Sequence, residues 1–144
     1  MRHRLPVLLL LVAVLTATAC SSEEATPETK TLRYSGKGQY WEATITQQVT
    51  DEWLAGGEDA TGVKGEFKVK YVGPSPAPTS VDFGFKARQF SEYTTGAPLD
   101  ENGEARLLFG QVRLWPDETL TVDIEWNGGL ERIEATQSSK WTGE

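Results

Sequence analysis

Residues 120–133 read LTVDIEWNGGLERI. Leu120, Val122, Ile124 and Trp126 alternate with Thr121, Asp123 and Glu125, so one side of the stretch is apolar and the other polar. A period of two belongs to a half-buried β-strand. Asn127-Gly128 is the dipeptide best suited to a two-residue hairpin turn. A turn at that point sets a register: Glu125 faces Leu130, Asp123 faces Arg132, and Val122 faces Ile133. Asp123 and Arg132 then pair across the strands on the wet face, a contact worth only about 0.2–1 kcal/mol. Ile133 joins the apolar side.

The same alternation recurs upstream. Trp41, Ala43, Ile45, Gln47 and Val49 form one apolar row, Val63, Gly65, Phe67, Val69 and Tyr71 a second, and Val81, Phe83, Phe85 and Ala87 a third. Turn chemistry lies between them: Gly56-Gly57 and Gly62, then the run Gly73 to Pro78, then Asn102-Gly103. Ala105 to Leu114 is ambiguous, with Leu107 and Phe109 on one face and Leu108, Val112 and Leu114 on the other. A bulge near Gly110 or burial on both faces accounts for it. No helical stripe of useful length is present. Several short strands in a chain of 144 residues predict an all-β fold. The expected form is a single antiparallel β-sandwich over residues 32–137, immunoglobulin-like or fibronectin-III-like, with a small β-barrel as the alternative. Trp41 and Trp126 are the expected large pieces of core, and residues 138–144 an appended tail.

Residues 1–19 read as a targeting segment. Arg2, His3 and Arg4 precede an apolar run from Leu5 to Leu15, and small residues follow from Thr16 to Ala19. That order is the signal-peptide order, and the run is short of the roughly 20 apolar residues that span a bilayer. Cleavage after Ala19 leaves Cys20, the only cysteine of the chain, as the first mature residue. Thr18-Ala19-Cys20 resembles the lipobox of bacterial lipoproteins, although Ala17 stands where that pattern usually has leucine. The resemblance implies lipidation of Cys20 and attachment to the outer side of the cell membrane. Ala17-Thr18-Ala19 also suits an ordinary A-x-A signal peptidase, which leaves a free thiol. Residues 20–31 are polar, acidic and without apolar periodicity, and read as a flexible tether. Ser21 is not the aspartate that retains lipoproteins at the inner membrane of double-membraned bacteria, so in such a host the outer membrane is expected.

A second resemblance covers most of the domain. Tyr34-Ser35-Gly36 followed by Trp41, the stretch Gly65 to Gly73, and Ile124 to Gly129 with Glu131 and Ile133 are similar to small uncharacterised lipoproteins of Gram-positive bacteria. It implies a lipid-anchored immunoglobulin-like sandwich and carries no catalytic activity with it.

Composition narrows the chemistry. Loss of Arg2 and Arg4 with the leader takes the formal charge of the whole chain, −7, to −9. An acidic domain disfavours nucleic acid and anionic headgroups as partners. The only histidine is His3 and the only methionine Met1, so a mature chain lacks the imidazole of serine-type triads and of common zinc sites. No cofactor is expected. Asp100, Asn102 and Glu104 surround Gly103 and are weak calcium candidates, because the EF-hand spacing is missing. The plainer reading is a polar turn. Trp53 and Trp115 stand outside the alternating runs, where aromatic rings either close an end of the fold or stack on a ligand. The expected function is a membrane-anchored, non-catalytic binding or envelope-interaction domain whose partner is an envelope protein or a cell-wall glycan. The alternatives are a glycan-binding module built on Trp53 and Trp115, and a hydrolase using paired carboxylates.

Overall fold

The computed structural model describes residues 28–138. The leader, Cys20 and the last six residues lie outside them. Eight strands follow in order: β1 (Thr29–Lys37), β2 (Trp41–Thr50), β3 (Lys64–Tyr71), β4 (Ser80–Lys86), β5 (Ser91–Pro98), β6 (Glu104–Phe109), β7 (Leu120–Trp126) and β8 (Gly129–Gln137). A single helical turn, α1 (Asp51–Leu54), follows β2. No helix among the described residues is long and apolar enough to cross a membrane.

All pairings are antiparallel, and the strands form one sheet in the order β5-β4-β7-β8-β1-β2-β3-β6. The all-β expectation holds, and the chain takes its barrel-like form. Two four-stranded halves face each other across the core, as in a sandwich, but they are one sheet and not the separate sheets of an immunoglobulin or fibronectin-III domain. The reason lies in β8. Its first seven residues pair with β7, and its end turns to pair Thr136 with Ser35 and Gln137 with Tyr34 of β1. Edge strands β5 and β6 come near each other, so the barrel is nearly closed.

The closing hairpin has the register its turn dictates: Glu125 opposite Leu130, Asp123 opposite Arg132, Val122 opposite Ile133. Arg132 Nε and Nη2 donate to the two Asp123 carboxylate oxygens at 2.7 and 3.1 Å. Ile133 is buried. The apolar rows of β2, β3, β4 and β7 all point inward, and Phe67 meets Phe83 and Phe85 edge-on across the core at 4.9 and 5.3 Å.

Three boundaries differ from expectation. β1 begins at Thr29, so the last residues of the predicted tether are strand, paired with the end of β2. Ser138, placed in the tail, is tied to Arg33 through its backbone N–H at 2.9 Å. Ala105 to Leu114 is not one strand. β6 ends at Phe109, the chain turns where Gln111 takes φ 57°, and Val112 and Leu114 then enter the core from an irregular segment.

Up-and-down strands give the barrel two poles. The start of β1, α1 and the connections before β3, β5 and β7 lie at one, the N-terminal pole. The β1–β2, β3–β4, β5–β6 and β7–β8 connections lie at the other, the hairpin pole.

Candidate binding groove at the hairpin pole

Two close approaches hold the hairpin pole together. The Glu131 carboxylate, from β8, accepts the backbone N–H groups of Gln39, Tyr40 and Trp41, with Trp41 at 3.0 Å. A Cβ on Gly38 would sit 2.4 Å from that carboxyl carbon, and a Cβ on Gly36 would sit 2.5 Å from the Glu134 carbonyl oxygen. Gly36, Trp41, Glu131 and Ile133, which carried the second resemblance, therefore act together at the seam between β1 and β8. Their roles are structural.

An aromatic cluster sits beside this seam. Trp41 is fully buried, with the Tyr71 ring at 5.2 Å and the Trp126 ring at 5.7 Å. Tyr40 adds a fourth ring, against Trp126, also at 5.7 Å. Trp126 is only half-buried, with the Gly128-Gly129 turn against its indole. The β3–β4 connection, rich in proline, arches past it and leaves an open groove of about 440 Å³ between Tyr71, Pro76, Pro78, Trp126 and Asn127. A second lobe of about 370 Å³ shares Ser80, Trp126 and Asn127 with the first and runs on to Asp82 and Glu125. The floor is thus aromatic at the pole and acidic on the outer face of the barrel. Rings braced by other rings make a rigid platform.

Asp82 and Glu125 are direct cross-strand partners. Glu125 is exposed, and Asp82 accepts the Gly96 N–H at 2.6 Å, so neither occupies the dry pocket that divides two carboxyls into acid and base. Tyr93, half-exposed on the neighbouring strand, has its hydroxyl pushed up by desolvation and by the negative field of Asp82, Glu125 and Asp123.

Trp53 and Trp115 lie together at the opposite pole. α1 is capped by Thr50, whose hydroxyl accepts the Trp53 N–H at 3.2 Å, and the turn presents Trp53 inward with 7% exposure. Trp115 is half-buried, and its carbonyl accepts the Tyr34 hydroxyl. Arg113 reaches between the two rings, its guanidinium carbon 4.1 Å from the centre of Trp53 and 5.5 Å from that of Trp115. It also donates to the carbonyls of Trp53 and Gly57. The Trp53 ring is filled space, and the Trp115 ring beside it is half-buried. Below them the Glu118 carboxylate accepts the backbone N–H groups of Trp115 and Arg88, and burial, with Glu118 and Asp117 nearby, pushes the Tyr34 hydroxyl well above its usual range.

Asp100, Asn102 and Glu104 form the β5–β6 turn. Asp100 Oδ1 accepts the N–H groups of Asn102 at 2.8 Å and Glu104 at 3.0 Å, which hold its carboxyl below the usual range, Glu104 foremost. Glu104 faces Arg106 at 3.1 Å and Lys68 at 3.5 Å. One Asp100 oxygen and both Glu104 oxygens are thus engaged within the turn and its neighbours. Chelator is expected to leave the melting temperature unchanged. A rise of several degrees in millimolar calcium, lost in Asp100→Ala, would contradict this through ligand-linked stability.

The open groove at the hairpin pole is lined by Trp126 and Tyr71, which the sequence reading did not single out as ligand-binding residues. Both end apolar rows, and both pack against the core while staying partly exposed, Trp126 being one of the two tryptophans expected in the core. The proline-rich connection that follows Tyr71 is the one signal that a row end stays uncovered. Comparison with protein-family models, with curated protein sequences and with solved structures finds no match to this chain.

Proposed function

We propose that the chain is a lipid-anchored, extracytoplasmic, non-catalytic binding domain that engages an envelope component through the hairpin-pole groove. One observation carries the reading: the open aromatic floor of Trp126 and Tyr71 lies at the pole opposite the start of β1. Nine residues of β1, at about 3.3 Å each, separate the poles by about 30 Å. A tether running from Cys20 to Thr29 delivers the anchor to the N-terminal pole, so the groove faces away from the membrane. Loops on a rigid scaffold are the usual carriers of recognition. The leader order and Cys20 supply the address, and two or more acyl chains give stable attachment.

Cys20→Ser is expected to abolish incorporation of a palmitate analogue and to leave precursor or released protein. Unchanged labelling and membrane retention of that variant would remove the anchor from the proposal. Ala77→Arg, at an exposed rim position, fills the groove without touching the core. It is expected to keep the melting temperature and to lose at least tenfold in retention on isolated envelopes, as a buried contact worth about 1.4 kcal/mol or more would give. Wild-type retention by the folded variant would place recognition elsewhere.

A further inference from the structure

Resting on that groove, we propose that its occupant is an extended basic peptide segment of an envelope protein, with a lysine or arginine against Asp82 and Glu125 and an adjacent apolar residue on Trp126. Like charges directly opposite each other on a sheet are destabilising, yet Asp82 and Glu125 face each other with no cation between them. The nearest arginine on this face, Arg132, is held by both oxygens of Asp123. Lys86 lies at the other end of β4, opposite Thr121. No ion pair engages Asp82 or Glu125 among the described residues. A cation therefore has to come from outside the barrel.

Trp126 lines both lobes, and Asp82 and Glu125 line the second with it, so a cation in the acidic lobe lies next to the aromatic one, and an indole is the ring most favourable to a cation. Beyond Glu125 the next strand presents Leu130, 68% exposed, directly opposite in register. Neighbouring strands lie about 4.8 Å apart. A chain crossing them thus meets aromatic rings, two carboxylates and an isobutyl group in succession, which suits alternating apolar and basic side chains. The acidic mature chain steers such a segment inward and repels anionic polymers.

The test uses full-length protein in detergent, titrated with a Pro-Lys repeat octapeptide and watched through the indole N–H resonance of Trp126. Saturable binding is expected, weakening severalfold between 50 and 200 mM salt. Glu125→Gln is expected to lose about tenfold in affinity while its melting temperature holds or rises, because a repulsion is relieved. A Pro-Glu repeat octapeptide should not bind. No binding of the basic peptide, equal binding by Glu125→Gln, or preference for a glucosamine tetramer over the peptide would each overturn the inference. Envelope retention separates the two levels. If Ala77→Arg loses retention and Glu125→Gln keeps it, the groove stands and the basic peptide falls. If both keep it, the groove itself is wrong.

Discussion

Glu131→Ala is expected to destabilise the domain by roughly 2–4 kcal/mol, far more than its half-buried position on β8 suggests. Its carboxylate takes three consecutive N–H groups of the β1–β2 hairpin. Hydrogen bonds to a charged acceptor contribute about 1.5–3 kcal/mol each, and donors left unpaired in a half-buried turn cost about 1–3 kcal/mol. These do not add, because the turn relaxes toward water once the carboxylate is gone. The loss also spreads. β1 and β8 share only two paired positions, Tyr34 with Gln137 and Ser35 with Thr136, so the carboxylate supplies much of what closes the seam. Glu131→Gln keeps one acceptor and should fall between wild type and alanine in urea unfolding. Equal midpoints for all three proteins would show that the seam is held by the core alone. Gly38→Ala should behave like a milder Glu131→Ala, since its methyl group would displace the same carboxylate.

Much of this barrel was legible because its central strands bury one face and wet the other. β2, β3, β4 and β7 are such strands, and the Asn127-Gly128 turn fixed the β7–β8 register to the residue. β5 left no such trace. None of Ser91 to Pro98 is fully buried, and only Ala97 among them packs against the core, so this edge strand has no apolar period to read. The break after Phe109 showed only as a loss of alternation near Gly110, because Val112 and Leu114 reach the core without strand geometry. Barrel against sandwich turned on two residue pairs at the end of β8, and hydrophobic alternation is the same in both architectures. The groove hid for a related reason. Alternation says which way a side chain points, and Trp126 does point inward. It does not say that the pole above it stays open.

Trp53→Ala is expected to be the most damaging substitution at the N-terminal pole, costing about 3–5 kcal/mol, as for other buried tryptophans cut to alanine. The ring fills the space between α1 and the segment before β7, and its loss leaves the Arg113 guanidinium with one aromatic face instead of two. Arg113 keeps its acceptors on Trp53 and Gly57 only while α1 holds its place. The effects of Trp53→Ala and Arg113→Ala should therefore be non-additive, the double variant losing at least about 0.5 kcal/mol less than the sum. Trp115→Ala should cost less than Trp53→Ala, since its ring is half-exposed and farther from the cation. Urea midpoints of the four variants decide between packing and recognition here. Trp53→Ala and Trp115→Ala proteins that keep the wild-type midpoint but lose envelope retention would restore the glycan platform at this pole and move recognition away from Trp126. A lowered midpoint for Trp53→Ala, with normal retention at temperatures where the variant is folded, leaves the groove beside Trp126 as the proposed recognition surface.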